Sequence, residues 1–371
     1  MIGQALWQAI YISIIGGLLF LLFIPLSPYL FRLIGHAEHL RHLESEYFSA
    51  LCYSALPTAL VAVASSFFTG LGRTKTIILI NMVGLLANVV LDYLLIFGNL
   101  GFPRLGVAGA GLATSLAAWA GALFGFALVM RQKHEAVYRI FSAWRLNFDL
   151  MKRYVKYGLP SGLQWALEGL AFTCFLIIVG HMENGEASLA SSGIVVTVMM
   201  LAILPTMGIA QAVAVEVGQC LGDKNPDKAE AAAWSGMQIA LMYIVTMGAS
   251  FALFPHFYLN WFATEDQGPV WQNVSVMVPQ LLLFVACFVS FDSMNLIFSF
   301  TLKGAGDTRF VSLIALLLPW PLMVLPTYLM QKWTGAIYWS WGAASIFITI
   351  QALIFTWRFR QGKWKSMSVI N

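Results

Sequence analysis

Charge is what this sequence has least of. Of its 371 residues only 10% are Asp, Glu, Lys or Arg, against 59% hydrophobic, where a soluble domain carries about 25% charged residues. A water-soluble globule is excluded, because so thin a polar skin cannot cover so large an apolar interior, whereas a bilayer can act as solvent for the excess. Cysteine is scarce too. Cys52, Cys174, Cys220 and Cys287 lie in or beside apolar stretches with no CxxC spacing, so there is no disulfide framework and they read as small lipid-phase residues. Walker A, strand-borne GxGxxG, HExxH and GxSxG patterns are all missing, which argues against ATP-driven export and the familiar membrane hydrolases. No nucleophile and base stand at usable spacing, so the chain is expected not to be an enzyme. Work, if any, draws on an ion gradient.

What is present is long apolar runs. Residues 1–31, 47–72, 105–130, 187–215, 231–264, 310–331 and 333–357 contain no Asp, Glu, Lys or Arg, and 76–103, 157–182 and 267–302 each contain one carboxylate, Asp92, Glu168 and Asp292. Each of the ten is long enough for a spanning helix, which needs about 20 apolar residues. None shows the short alternation of a membrane β-strand, so the expected class is an all-α membrane protein. The opening Met1-Ile2-Gly3-Gln4 leads into a run too long for a cleaved signal peptide and reads as a first span.

The basic residues are distributed unevenly between alternate connections. Grouping 73–75, 131–156, 222–230, 303–309 and the tail after 357 on one side leaves only Arg32, Arg41, Arg104 and Lys332 of the 21 for the other. By the positive-inside tendency the richer side is cytoplasmic, and an even number of spans puts both termini there. The net charge of +4 is accounted for by juxtamembrane residues facing anionic headgroups, and no nucleic-acid partner is implied.

The chain also repeats itself. Thr69-Gly-Leu-Gly-Arg-Thr-Lys75 recurs as Lys303-Gly-Ala-Gly-Asp-Thr-Arg309, pairing Gly70 with Gly304, Gly72 with Gly306 and Thr74 with Thr308. Each copy joins two apolar runs on the basic side, as a tight helix–helix turn with Gly at positive φ. Two related halves, with a ligand site between them, are a common transporter design. Four spans precede the second copy within its half and only two precede the first. Pairing Trp7 with Trp234 matches Met1 to Lys228. The expectation is ten helices of a symmetrical twelve, with the first two lacking.

Ionisable groups inside spans cost about 2.5–3.5 kcal/mol at a helix centre and tend to face cavities or partners. Asn88 and Asp92 are four apart and share a face, as a half-shell for Na⁺, a protonatable pair, or a neutral interhelical hydrogen-bonding unit. Glu168 follows Gln164 by one turn, after a Gly158-Leu-Pro160 stretch expected to bend or unwind the helix. It suits either cation exchange or an interhelical hydrogen bond. Asp292 shares a stripe with Asn295 and Ser299 that could line a cavity or cap a kink after Pro279. Glu216 reads as a snorkelling residue at the membrane edge. His36, His39 and His42 cannot converge on one ion, since the outer two lie 120° apart on a helix, and read as a solvated loop rather than a metal site. Trp333, Tyr338, Trp339 and Trp341 read as an interfacial belt, and Met199, Met200 and Met207 as packing or a soft pocket wall.

The stretches Asn88-Val-Val-Leu-Asp-Tyr-Leu-Leu-Ile-Phe-Gly98 and Gly106-Val-Ala-Gly-Ala-Gly-Leu-Ala-Thr114 resemble the multidrug and toxic compound extrusion (MATE) transporters. The two Gly-x-Gly turns, Gly158-Leu-Pro160 and Gly218-Gln-Cys-Leu-Gly-Asp223 fit the same family, and the likeness covers nearly the whole chain. The resemblance implies a two-lobe bundle that alternates access, expelling cationic amphipathic compounds in exchange for Na⁺ or H⁺ with no other cofactor. It places Asn88, Asp92 and Thr114 at an N-lobe cation site, and Glu168 and Asp292 at C-lobe acidic positions, supported by Gln164 and Asn295. It also implies an Asp on a first helix that this chain does not carry. The expected organisation is an N-terminal lobe over 1–131, a linker over 132–150 and a C-terminal lobe over 151–371, in a monomer of the inner membrane. A flippase for lipids or lipid-linked oligosaccharides is the alternative within transport, disfavoured by the lack of mid-span Arg or Lys, and a non-transporting fragment is the alternative outside it.

Overall fold

The computed structural model describes residues 2–34, 38–263 and 268–367. Among them are ten helical segments long and apolar enough to cross a membrane, and no strand. The chain falls into two compact units, Met1–Val155 and Lys156–Asn371.

The first unit contains α1 (Ile2–Leu21), α2 (Ser27–Ile34), α3 (Glu38–Cys52), α4 (Ala55–Gly70), α5 (Thr74–Leu95), α6 (Gly106–Val129) and the short α7 (Gln132–Tyr138). Helices α3 and α4 belong to one span, interrupted at Tyr53 and Ser54. Ser54 turns its hydroxyl onto the Leu51 carbonyl at 2.7 Å, and Pro57 has no N–H to continue the ladder across the break. Glu38–Cys52 is helical, so the stretch expected as a solvated histidine loop is in large part helix, and His42 pairs with Glu46 at 3.4 Å. His36 lies outside the described residues.

Residues 139–147, within the expected linker, lie along α1. The Trp7 indole donates to the Ile140 carbonyl at 2.8 Å, and the Gln8 amide donates to Arg145 O at 3.1 Å and accepts from Asn147 N at 3.1 Å. Gln8 is fully buried, and these bonds satisfy its amide in a place where water cannot.

The second unit continues α8 (Phe148–Gly180) and adds α9 (Gly185–Gly222), α10 (Pro226–Leu253), α11 (Pro255–Asn260), α12 (Pro269–Gly304), α13 (Thr308–Leu317), α14 (Leu325–Met330) and α15 (Ala336–Arg360). Proline at the first turn of α10, α11 and α12 costs no hydrogen bond there. The expected unwinding at Gly158–Pro160 does not occur: α8 runs unbroken through Pro160, since one missing N–H is tolerated when the flanking turns remain intact. α12 likewise continues through Pro279. The irregularity falls elsewhere, in a π turn over Trp320–Val324 between α13 and α14, where Pro319, Pro321 and Pro326 crowd the ladder.

α12 is the hub of this unit and packs on α9, α10 and α15. Trp341 is buried, stacks edge-on to Phe175 at 6.1 Å and donates to Ser192 Oγ at 3.2 Å. It is therefore a core residue joining three helices and no part of an interfacial belt, whereas Trp333 and Trp339 are exposed.

The repeated motif forms the same turn twice. Gly72 at φ +66° is followed by Arg73 N–H bonding Phe68 O at 2.9 Å, and Gly306 at φ +98° by Asp307 N–H bonding Leu302 O at 2.9 Å. With Gly72 N–H on Thr69 O and Gly306 N–H on Lys303 O, both are Schellman motifs with glycine in the left-handed position. The preceding glycines have diverged. A Cβ on Gly304 would sit 2.4 Å from the Ala214 carbonyl of α9, while one on Gly70 meets nothing within 4 Å. Gly304→Ala is expected to lower the unfolding midpoint of the detergent-solubilised protein by an amount corresponding to about 1–3 kcal/mol. Gly70→Ala should change it by no more than about 0.5 kcal/mol; equal effects would contradict the difference in packing.

Candidate functional site

In the second unit the sequence-expected residues converge. The Gln164 amide donates to Glu168 Oε1 at 3.2 Å along α8, as the one-turn spacing requires. Asp292 is buried on α12, with Asn295 Nδ2 donating to its Oδ1 at a long 3.4 Å. Asp292 on α12 lies near enough to Glu168 on α8 for the two charges to interact. Ser299 extends the stripe as expected, though its hydroxyl is spent on the Leu296 carbonyl at 3.1 Å.

Two further residues complete the cluster and were not among the sequence candidates. Gln351, 2% exposed on α15, sets a second amide near Glu168. Lys303, half-buried in the last turn of α12, adds a positive charge at Glu168 and carries its ammonium 5.0 Å from the Phe300 ring centre. Lys303 stands at the helix end and not mid-span. Its signal was in the spacing: 292, 295, 299 and 303 fall on one helical stripe. Gln351 is the only amide in its apolar run, and a search confined to charge passes over it.

Two carboxylates and one ammonium, set among spans, sum to one negative charge when all are ionised. A low-dielectric region penalises such an imbalance, and a bound cation or a proton removes it. The buried Gln164 Oε1, without a hydrogen-bond partner, is an acceptor in the same neighbourhood.

The first unit is only partly as expected. Asn88 on α5 and Thr114 on α6 line one cavity of about 270 Å³, together with Thr58 and Asn81. Asn81 is seven residues before Asn88, on the same face of α5. Asn88 Nδ2 is buried without a partner, and Thr114 Oγ1 donates to the Ala110 carbonyl at 2.9 Å. Asp92 is not in the lining, so it does not join Asn88 in a half-shell around this cavity. One further helical turn carries it past the space that Gly84, Ala117 and Gly121 leave open. Among the described residues no group of three or more His, Cys, Asp and Glu could hold a metal ion.

Ten apolar helical spans among the described residues, with charged groups inside them, make this an all-α membrane protein. The MatE family matches residues 1–94 and 160–329, well over half of the chain, and the chain belongs to that family, as a MATE family transporter and not an enzyme. Similar curated proteins include "Probable multidrug resistance protein NorM" of Mesorhizobium japonicum, 29% identical over 335 residues, spanning 87% of this chain and 69% of that protein. The protein of the same name from Pseudomonas syringae pv. tomato is 29% identical over 368 residues, 98% of this chain and 78% of that one. A solved structure described as the outward-facing conformation of a multidrug resistance MATE family transporter of the MOP superfamily has a TM-score of 0.85 at 23% identity. It covers 98% of this chain and 80% of the other, and shows the likeness of fold.

If Gln351 and Glu168 interact as placed, a double-mutant cycle of Gln351→Leu with Glu168→Ala should give a coupling of about 0.5–3 kcal/mol in unfolding free energy. Additivity within about 0.5 kcal/mol would separate them.

Proposed function

We propose that the protein is a secondary active multidrug exporter that exchanges cationic amphipathic compounds for Na⁺ or H⁺ by alternating access. The observation that carries this reading is the imbalance at Glu168, Asp292 and Lys303: two acids against one base within an apolar bundle. A substrate cation and a coupling cation compete for the same negative charge, and because each relieves it, binding of one favours release of the other. Gln164, Gln351 and Asn295 orient the two carboxylates. Asn88 and Thr114, with Asp92 beyond them, form a second polar site for the coupling cation in the first unit. The names of the curated relatives support the multidrug class.

A phosphate-bearing cargo at this cluster would need an excess of cations, whereas two acids face the single Lys303. This favours the cation reading over a lipid flippase. The bilayer is the partner, with the basic connections and both termini on the cytoplasmic side of the plasma membrane and the chain acting as a monomer. One net charge crossing the membrane brings about 2.3 kcal/mol per 100 mV, so the potential drives export of a monovalent cation only when more than one coupling cation enters per cycle.

Binding of a lipophilic cation, tetraphenylphosphonium, to the purified chain tests this, with Na⁺ titration and acidification as competitors and ethidium efflux from expressing cells as the cellular readout. Glu168→Gln is expected to weaken binding at least tenfold and abolish competition while leaving the unfolding midpoint within a few degrees. Unchanged binding and competition in that variant would overturn the assignment.

A further inference from the structure

The two copies of the turn motif share a backbone and differ in charge. In the second copy the residue after Gly306 is Asp307, buried, whose Oδ2 accepts from Arg358 Nε at 2.7 Å, with the guanidinium also 4.7 Å from the Phe310 ring centre. Arg358 sits in the last turn of α15, the second span after the turn. The first copy has Arg73 at the position of Asp307, and Arg131 lies just past the end of α6, the second span after that turn. One half sets an acid against a base after its turn, and the other sets two bases beside one cavity.

Arg73 and Arg131 line one cavity of about 160 Å³ with Thr76, His134, Phe68 and Leu79. No carboxylate lines it, and among the described residues neither guanidinium has an acidic partner. The nearby Glu135 is directed away, its Oε2 accepting from Phe141 N at 2.6 Å. His134 does not neutralise the cavity either. It is buried, and its Nδ1 faces the Leu128 and Val129 carbonyls at 3.0 and 3.1 Å. Carbonyls only accept, so Nδ1 carries the proton, and Nε2 is left to accept from Arg73 Nη1 at 3.2 Å. Edge contacts from Phe67 and Phe68 hold the ring in place. His134 thus orients the Arg73 guanidinium and leaves its charge unmatched.

We propose that this cavity binds a phosphate group, held by the guanidinium N–H groups of Arg73 and Arg131 and the hydroxyl of Thr76. Arginine presents paired donors that fit phosphate oxygens, and the volume exceeds that of a few waters at about 30 Å³ each. The site lies where α4 and α6 end and α5 begins, the level at which lipid headgroups meet a spanning bundle. Leu79, exposed one turn along α5 from Thr76, continues the wall in apolar character. That surface suits the carbon skeleton of an anionic phospholipid, while free phosphate would use the polar end alone.

The test is the unfolding midpoint of the full chain in detergent, titrated separately with phosphatidylglycerol, phosphatidylcholine and inorganic phosphate. Phosphatidylglycerol is expected to raise the midpoint at concentrations at least tenfold below those at which phosphatidylcholine does. A matching response to inorganic phosphate would support the site with a soluble oxyanion as its ligand. Arg131→Gln should weaken the phosphatidylglycerol response at least tenfold. Arg73→Asp, which installs the pairing found in the second half, should abolish it while holding the lipid-free midpoint at or above that of the parent chain. Absence of any anion response in the parent chain, or the same response in Arg131→Gln, would overturn the proposal.

Discussion

Hydrocarbon offers no hydrogen bonds, and everything in this molecule is arranged around that constraint. Backbone groups close on themselves in helices, and many hydroxyls within the spans bond a carbonyl of their own helix. Thus the Thr206, Thr301, Ser340 and Thr356 hydroxyls all fall back onto the carbonyl four residues earlier. Against that background the groups that do not close locally stand out. Glu168 takes one amide hydrogen bond from Gln164 on its own helix and has Gln351 and Lys303 near it from two others, and Asn88 retains an unpartnered amide beside a cavity.

The internal repeat shows what such a constraint preserves and what it leaves free. The Schellman turn survives in both halves because its geometry depends on one residue at positive φ, glycine in each, and two backbone bonds. The side chains mounted on that turn have taken opposite charges, Arg73 in one copy and Asp307 in the other. The same geometry appears a third time at the end of α9, where Asn225 N bonds Cys220 O at 2.9 Å and Lys224 holds φ at +56° without being glycine. Backbone architecture is thus reused while electrostatics diverge upon it.

The pairs that were legible in the chain are those within a single helix. Gln164 with Glu168, and Asp292 with Asn295, are fixed by helical spacing and needed no knowledge of neighbours. The Asn88–Asp92 pair obeyed the same spacing, yet the cavity ends before Asp92 because its walls come from α4 and α6. Gln351 and Lys303 were hidden for the complementary reason. Each belongs to the cluster through a different helix, and a lone amide or a lysine at a helix end carries no mark of what it will face. Trp341 looked like its neighbours Trp333 and Trp339, and its burial follows from Ser192 and Phe175 on other spans.

Membrane class, the ten spans, the Gly72 and Gly306 turns and the placement of the acids within apolar runs were all inherent in the order of residues, because hydropathy and glycine conformation are local properties. Which residues join Glu168, where the cavity beside Asn88 stops, and whether Arg73 meets an acid or another base depended on packing between helices distant in the chain. Those contacts are set by the shape of several faces at once, and no single run of sequence contains that information.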